Sequence, residues 1–203
     1  MERFLPAADE TVSEHTLVSA GAERTYSAIG EADVSGDRLL GALGGLTSLA
    51  ERMAGDAVRP KTLGELLGSE LGFVTLADEP GSARAAGLVI RFSAFERGVE
   101  RVESPDAFAA FADPGHVKVS IAFSLEAQGG DRTFLTCEVR VSGTDDDTRS
   151  TLRSTWFFAG PAVRMLVRRL VELVKNAAES GPERTQGGDR AGDHDDAEHL
   201  HAG

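Results

Sequence analysis

Residues 116–143 read HVKVSIAFSLEAQGGDRTFLTCEVRVSG. Two alternating runs flank a glycine pair. In the first, Val117, Val119, Ile121, Phe123 and Leu125 share one face, and His116, Lys118, Ser120 and Ser124 share the other. In the second, Leu135, Cys137, Val139 and Val141 lie opposite Thr136, Glu138 and Arg140. A period of two with one apolar face is the pattern of an antiparallel strand pair packed on one side. Gly129-Gly130 supplies the turn. The pattern predicts a sheet that is wet on its polar face.

A helical run follows at once. In TDDD, Thr144 is the expected N-cap, with Asp147 three residues later, and the acids complement the positive helix end. Leu152, Trp156, Ala159, Val163, Leu166, Val167, Leu170, Val174 and Ala177 then recur at helical steps, predicting a helix to about Glu179. Gly160-Pro161 interrupts this run. A proline inside a helix loses a hydrogen bond and costs about 3 kcal/mol. The stripe keeps its phase across the pair, which predicts one bent helix and not two. Such a bend can fit the helix to a curved sheet, open space beside Trp156 or let the first turns act as a gate. Arg149, Arg153, Arg164, Arg168 and Lys175 fall mostly off the stripe and read as its solvated face.

Upstream, strand and helix signals alternate. Residues 12–19 read as a first strand, GAERTYSAIGEA as a helix, and Leu39, Leu43, Leu46, Leu49 and Met53 form a second helical stripe weakened by Gly41, Gly44 and Gly45. RPKTLGELLGSEL is ambiguous. GFVTLAD, the turn EPGSA and RAAGLVIRFSAFERG read as strands, with a short VERVE after them. In SPDAFAAFADPG, Ser104 is a helix N-cap, Pro105 fits the first helical position, and Pro114-Gly115 ends the segment.

The 203 residues suggest one domain with tails, 41% hydrophobic and 27% charged, which is ordinary for a globular chain. Three segments are expected: a 1–11 N-terminal extension, a 12–179 domain, and a polar, acidic 180–203 tail too poor in apolar residues to fold. His194, His199 and His201 in that tail read as solvated, not as a metal site. The net charge of −12 disfavours nucleic acid as a partner. No apolar run is long enough to span a membrane, so stable membrane insertion is not expected. The first residues lack the basic and apolar regions of a secretory signal, and Cys137 is the only cysteine; both fit a cytoplasmic location.

The order of strand, helices, antiparallel strands and long C-terminal helix resembles the helix-grip fold of the START-like, or SRPBCC, superfamily of polyketide cyclase/dehydrase and lipid-transport proteins, and more closely its small bacterial members. The stretches that carry the resemblance are EADVSG, ADEPG, FAAFADPGHVKVSIAF, LTCEVRVSGTDDDTR and WFFAGPAVRMLVRRLVELVKNAAE, spanning residues 12 to 179. The resemblance implies an α+β fold: a curved antiparallel β-sheet wrapped around a long C-terminal α-helix, with an apolar cavity between them. Members bind lipids, hormones or aromatic polyketides, and a few catalyse cyclisation or dehydration. This chain departs from similar sequences after the EPG turn, where a glutamate is replaced by SARAAG with Arg84 nearby, and at Cys137 in TCEVRV.

The residues themselves offer little chemistry. His15 and His116 have no nucleophile or ligand partners at a useful spacing, and each reads as a half-exposed strand histidine. Glu138 and Arg140 share the polar strand face and read as an ion pair or as partners of Lys118. GALGG lies inside an apolar stripe and is not a phosphate loop. No catalytic, metal or cofactor motif is present, so no catalytic residue and no cofactor is assigned. The expected function is binding of a hydrophobic small molecule. Its lining would be Leu88, Ile90, Phe92, Val119, Ile121, Phe123, Trp156, Val163, Leu166 and Leu170, with Phe108 and Phe111 over an opening. The alternatives are a polyketide cyclase or dehydratase, which needs an acid or base facing the cavity, and an interaction module with a filled core.

Overall fold

The computed structural model describes residues 4–37, 40, 60–92 and 97–180. Its elements are β1 (Glu10–Val18), α1 (Ala22–Glu31), α2 (Leu63–Leu66), a 3-10 turn (Ser69–Leu71), β2 (Val74–Glu79), β3 (Ala83–Phe92), β4 (Arg97–Glu100), α3 (Pro105–Ala110), β5 (His116–Ala127), β6 (Thr133–Gly143) and α4 (Asp146–Glu179). The expected helical stripe beyond Leu40, residues 93–96 of the long strand segment and the tail from residue 181 lie outside the described residues. The ambiguous segment resolves into α2 and the 3-10 turn.

The strands form one curved antiparallel sheet in the order β1-β6-β5-β3-β2, with β4 also paired to β3. The fold is a helix grip. The decisive hairpin pairs along its whole length, from Val117 opposite Gly143 to Ala127 opposite Thr133. Its turn places Gly129 and Gly130 at φ of 80° and 60°, backbone that glycine adopts without steric cost. The β-strand 1 boundary falls before residue 12, and Leu5 is buried against the domain while its carbonyl accepts from Arg140.

The apolar faces of β5 and β6 meet α4. Leu152, Leu166, Val167, Leu170, Val171, Val174 and Ala178 from the helix are buried there with Ile121, Phe123, Leu135, Cys137 and Val139. Asp145, not Thr144, is the N-cap: its carboxylate accepts from the Thr148 amide at 2.9 Å and the Gly115 amide at 2.6 Å. The carboxylate carries two acceptor oxygens, one bond further from Cβ than the threonine hydroxyl, and reaches both the helix and the start of β5. Thr144 instead bonds the β5 backbone, exchanging hydrogen bonds with His116. α4 continues unbroken through Pro161.

The opposite sheet face is not wet along its length. There α3 and the N-terminal segment cover a second core of Val74, Leu76, Ala85, Val89, Phe108 and Ala122. Gly87 permits this: a Cβ there would stand 2.8 Å from the Phe108 ring. Lys118, His116 and Ser120 are consequently buried. Alternation assigned these polar side chains to a common face, but it does not show which residues cover that face. No helix among the described residues is long and apolar enough to cross a membrane.

Candidate functional site

Alternation on β3 puts Arg84, Ala86, Leu88 and Ile90 on the face toward α4. Register then builds a wall from three strands. Leu88 stands opposite Val119, which stands opposite Val141; Ala86, Ile121 and Val139 make the next row. From α4, Trp156, Val163, Leu166 and Leu170 face this wall, and Leu66, Leu67, Leu71, Phe73 and Leu40 close the side. The space between is a cavity of about 250 Å³.

All the residues lining it are apolar, and the Trp156 indole nitrogen is the one polar side-chain atom they carry. No titratable side chain among the described residues lines it. The helix above has an uneven hold. Its start is pinned by Asp145, and its end by Arg24, which donates to the Ala177 carbonyl at 2.6 Å, and by Glu179, which accepts from the Ser19 amide at 2.8 Å. Between Arg153 and Met165 only Gly160 is buried; Trp156, Ala159 and Val163 are half-buried. This stretch contains Gly160-Pro161 and spans the cavity.

Eight of the twelve residues expected to line a site stand on the wall: Leu88, Ile90, Val119, Ile121, Trp156, Val163, Leu166 and Leu170. Phe92 packs, half-buried, against the main core and Phe123 is buried within it, both beyond the ends of the cavity wall. Phe108 and Phe111 do not cover its opening. They belong to the second core, across the sheet. Val139 and Val141, also on the wall, lie on the apolar face that alternation assigns to β6. Leu66, Leu67, Leu71 and Phe73 come from segments whose short elements have no periodicity to read.

A polar cluster adjoins the cavity and shares Leu67 with it. Tyr26 from α1 donates its hydroxyl hydrogen to Asp78 of β2. Arg84, directly across from Asp78 on β3, donates Nε to the same carboxylate at 3.0 Å and Nη2 to the Tyr26 oxygen at 3.2 Å, with its guanidinium 4.7 Å from the Tyr26 ring centre. Desolvation and the Asp78 hydrogen bond raise the Tyr26 pKa, and the Tyr26 hydrogen bond lowers that of Asp78. Asp78 and Arg84 line a second space of about 180 Å³ with Ile29, Gly64, Gly68 and Thr75. Arg84 thus clamps α1 to the β2–β3 hairpin.

The remaining candidates are structural. Glu138 accepts from Arg140 at 2.7 Å on the far face of the sheet. Lys118 pairs with neither: its ammonium donates to the carbonyls of Ala109 at 2.8 Å and Phe111 at 3.3 Å, closing the end of α3. Burial lowers its pKa. His116 holds Nδ1 2.9 Å from the Pro114 carbonyl, while its buried Nε2 has no partner among the described residues. Cys137 is fully buried, and desolvation raises its thiol pKa far above the usual range, leaving it an inert core residue.

The chain matches no protein-family model and no curated protein. Among solved structures it is similar to protein MLL2253 from Mesorhizobium loti, at 14% identity over 85% of this chain and 99% of that one, with a TM-score of 0.38. It is also similar to the Zhui aromatase/cyclase from Streptomyces sp. R1128, at 13% identity over 84% and 93%, TM-score 0.31. Ara h 8.0201 aligns at 12% identity over 84% and 98%, TM-score 0.32. At such values these neighbours carry nothing about function to this chain, and the helix-grip assignment stands on strand order and on the packing of α4.

Proposed function

We propose that the protein binds a hydrophobic small molecule in the cavity between the sheet and α4, without covalent chemistry. The observation that carries this reading is a space of about 250 Å³ walled by apolar side chains from three strands, α2, the 3-10 turn and α4. Well-packed interiors leave few voids larger than a water molecule. An apolar void of roughly 150 Å³ stays dry and takes up benzene. The cavity here suits a molecule of one or two fused rings, or a short alkyl chain. Binding would come from apolar burial, at about 25 cal/mol per Å² removed from water.

The test is native mass spectrometry of protein purified from its own host, with a thermal-shift panel of small lipids and polyketide-like aromatics. A co-purified apolar molecule or a ligand-dependent rise in Tm is expected. A ligand-free protein that no compound stabilises would end the proposal.

A second reading, cyclisation or dehydration of a polyketide-like substrate, has one observation in its favour: the Tyr26–Asp78–Arg84 cluster beside the cavity. In this reading a molecule extending past Leu67 meets Asp78 and Arg84, which hydrogen-bond Tyr26. Turnover of a poly-β-ketone thioester, abolished in Tyr26→Phe, would support it. No turnover by the wild type would remove it and leave the binding reading intact.

A further inference from the structure

The outward side of α4 is built differently from the rest of the surface. Phe157 and Phe158 are 80% and 78% exposed and Met165 is 56% exposed, three of the four large apolar side chains that stand exposed among the described residues. The two phenyl rings pack edge to face, 5.1 Å apart. Helical spacing puts Phe157, Pro161, Arg164, Met165 and Arg168 on one face, and Phe158 flanks it, one turn-pair before Met165.

The charge is as uneven as the hydrophobicity. From Thr148 to Val171 the helix carries five arginines and no acid, in a chain of net charge −12. Three of the five are compensated. Arg149 and Arg153 lie 3.7 and 3.6 Å from Asp9, and Arg169 lies 2.5 Å from Asp37 and 3.4 Å from Glu172. Arg164 and Arg168 are exposed and form no ion pair or hydrogen bond among the described residues. Two guanidinium groups without a partner among the described residues therefore flank an aromatic ridge.

We propose that this face of α4 docks on an anionic lipid bilayer surface. Exposed aromatic and methionine side chains beside basic residues are what an interfacial helix needs: apolar groups enter the headgroup and acyl boundary while cations meet lipid phosphates. The overall acidity does not oppose this at contact, because charges beyond about 8 Å are screened at physiological salt. A bilayer fits better than a folded partner. Phe157 and Phe158 stand 80% and 78% exposed, so a protein would have to supply the whole pocket for them, whereas lipid conforms to the rings. The place in the fold has a consequence. Trp156 and Val163 sit on the same turns as the ridge and face the cavity, so a docked helix has lipid on one side and the cavity on the other. Docking is measured without any ligand and stands whether or not the cavity is filled.

The test is co-sedimentation of the full chain with vesicles of phosphatidylcholine alone and of phosphatidylcholine mixed with phosphatidylglycerol. Wild type should pellet with the anionic vesicles only, and molar salt should release it. Phe157→Ser/Phe158→Ser and Arg164→Gln/Arg168→Gln should each lose binding, the arginine pair by roughly 30-fold. All four side chains are exposed, and circular dichroism confirms that the variants fold. The proposal is overturned if wild type stays in solution with anionic vesicles, or if both variants pellet as wild type does. It is equally overturned if wild type forms a concentration-dependent dimer that Phe157→Ser/Phe158→Ser dissolves while vesicle binding is absent, because a second copy then covers the ridge.

Discussion

Trp156 lays its indole over Gly160, one turn further along α4, so closely that a Cβ at position 160 would stand 3.0 Å from Nε1. The glycine is what allows the indole to lie along the helix instead of filling the cavity it lines. Gly160→Ala should therefore act on two scales. Alanine is favoured over glycine in a helix by about 1 kcal/mol. The added methyl must push aside the indole, which lines the cavity. Unfolding should show an unchanged or raised Tm, while affinity for any apolar ligand falls. A Tm drop with affinity kept would mean that the ring has no room to move.

Pro161 has no amide hydrogen, so the Phe157 carbonyl one turn earlier goes without its helical partner. The stretch from Arg153 to Met165 gains little from burial to offset that loss. Pro161→Ala should stabilise the protein, by up to about 3 kcal/mol if the helix straightens freely. At roughly 2–4 °C per kcal/mol for a chain of this size, the gain is visible in a melt. If the proline also lets this stretch open, ligand on- and off-rates should slow together with little change in Kd. A lowered Tm would show instead that the local helix geometry set by the proline is needed for packing on the sheet.

The cavity can be tested without knowing its occupant. Val163 faces it from α4 and is half-buried. In a filled core, Val163→Phe overpacks and costs about 1–3 kcal/mol. Here the ring enters open space, so Tm should hold or rise and ligand-dependent stabilisation should vanish. Leu166→Ala works in the opposite sense: it enlarges the void and should destabilise by about 2–5 kcal/mol. The pair of outcomes separates a real void from loose packing.

How much of this could be read from the chain depended on the length of each signal. The β5–β6 hairpin and α4 have long, regular periods, and the structure realises both, including the unbroken helix through Gly160-Pro161. Their apolar faces also supplied most of the cavity wall. What periodicity does not contain is which segment covers a face. The sequence places Phe108 and Phe111 near a cavity opening, yet α3 folds to the other side, where Gly87 leaves room for the Phe108 ring. Lys118 looked solvated because only the layer above it decides that. The Tyr26–Asp78–Arg84 cluster joins residues up to 58 positions apart and left no local pattern.

Asp145 joins the first turn of α4 to the start of β5. Its carboxylate accepts from the amides of Thr148 at 2.9 Å and Gly115 at 2.6 Å and from the Thr148 hydroxyl at 2.6 Å. The Gly115 and Thr148 hydrogen bonds hold its pKa well below the usual aspartate value. A carboxyl whose pKa is depressed on folding stabilises the protein fully above its unfolded value, here 3.8. That contribution is lost as the pH falls below 3.8 toward the folded value, because the unfolded chain then binds the proton first. Asp145→Asn keeps an acceptor for one amide but loses the charge, and Asp145→Ala loses both. At neutral pH the Tm should fall in the order wild type, Asn, Ala. On acidification below 3.8, the wild-type advantage over Asn should narrow. Thermal melts across that window measure it directly, and a difference between wild type and Asn that is the same at every pH would show that the charge on Asp145 contributes nothing to the hold on α4.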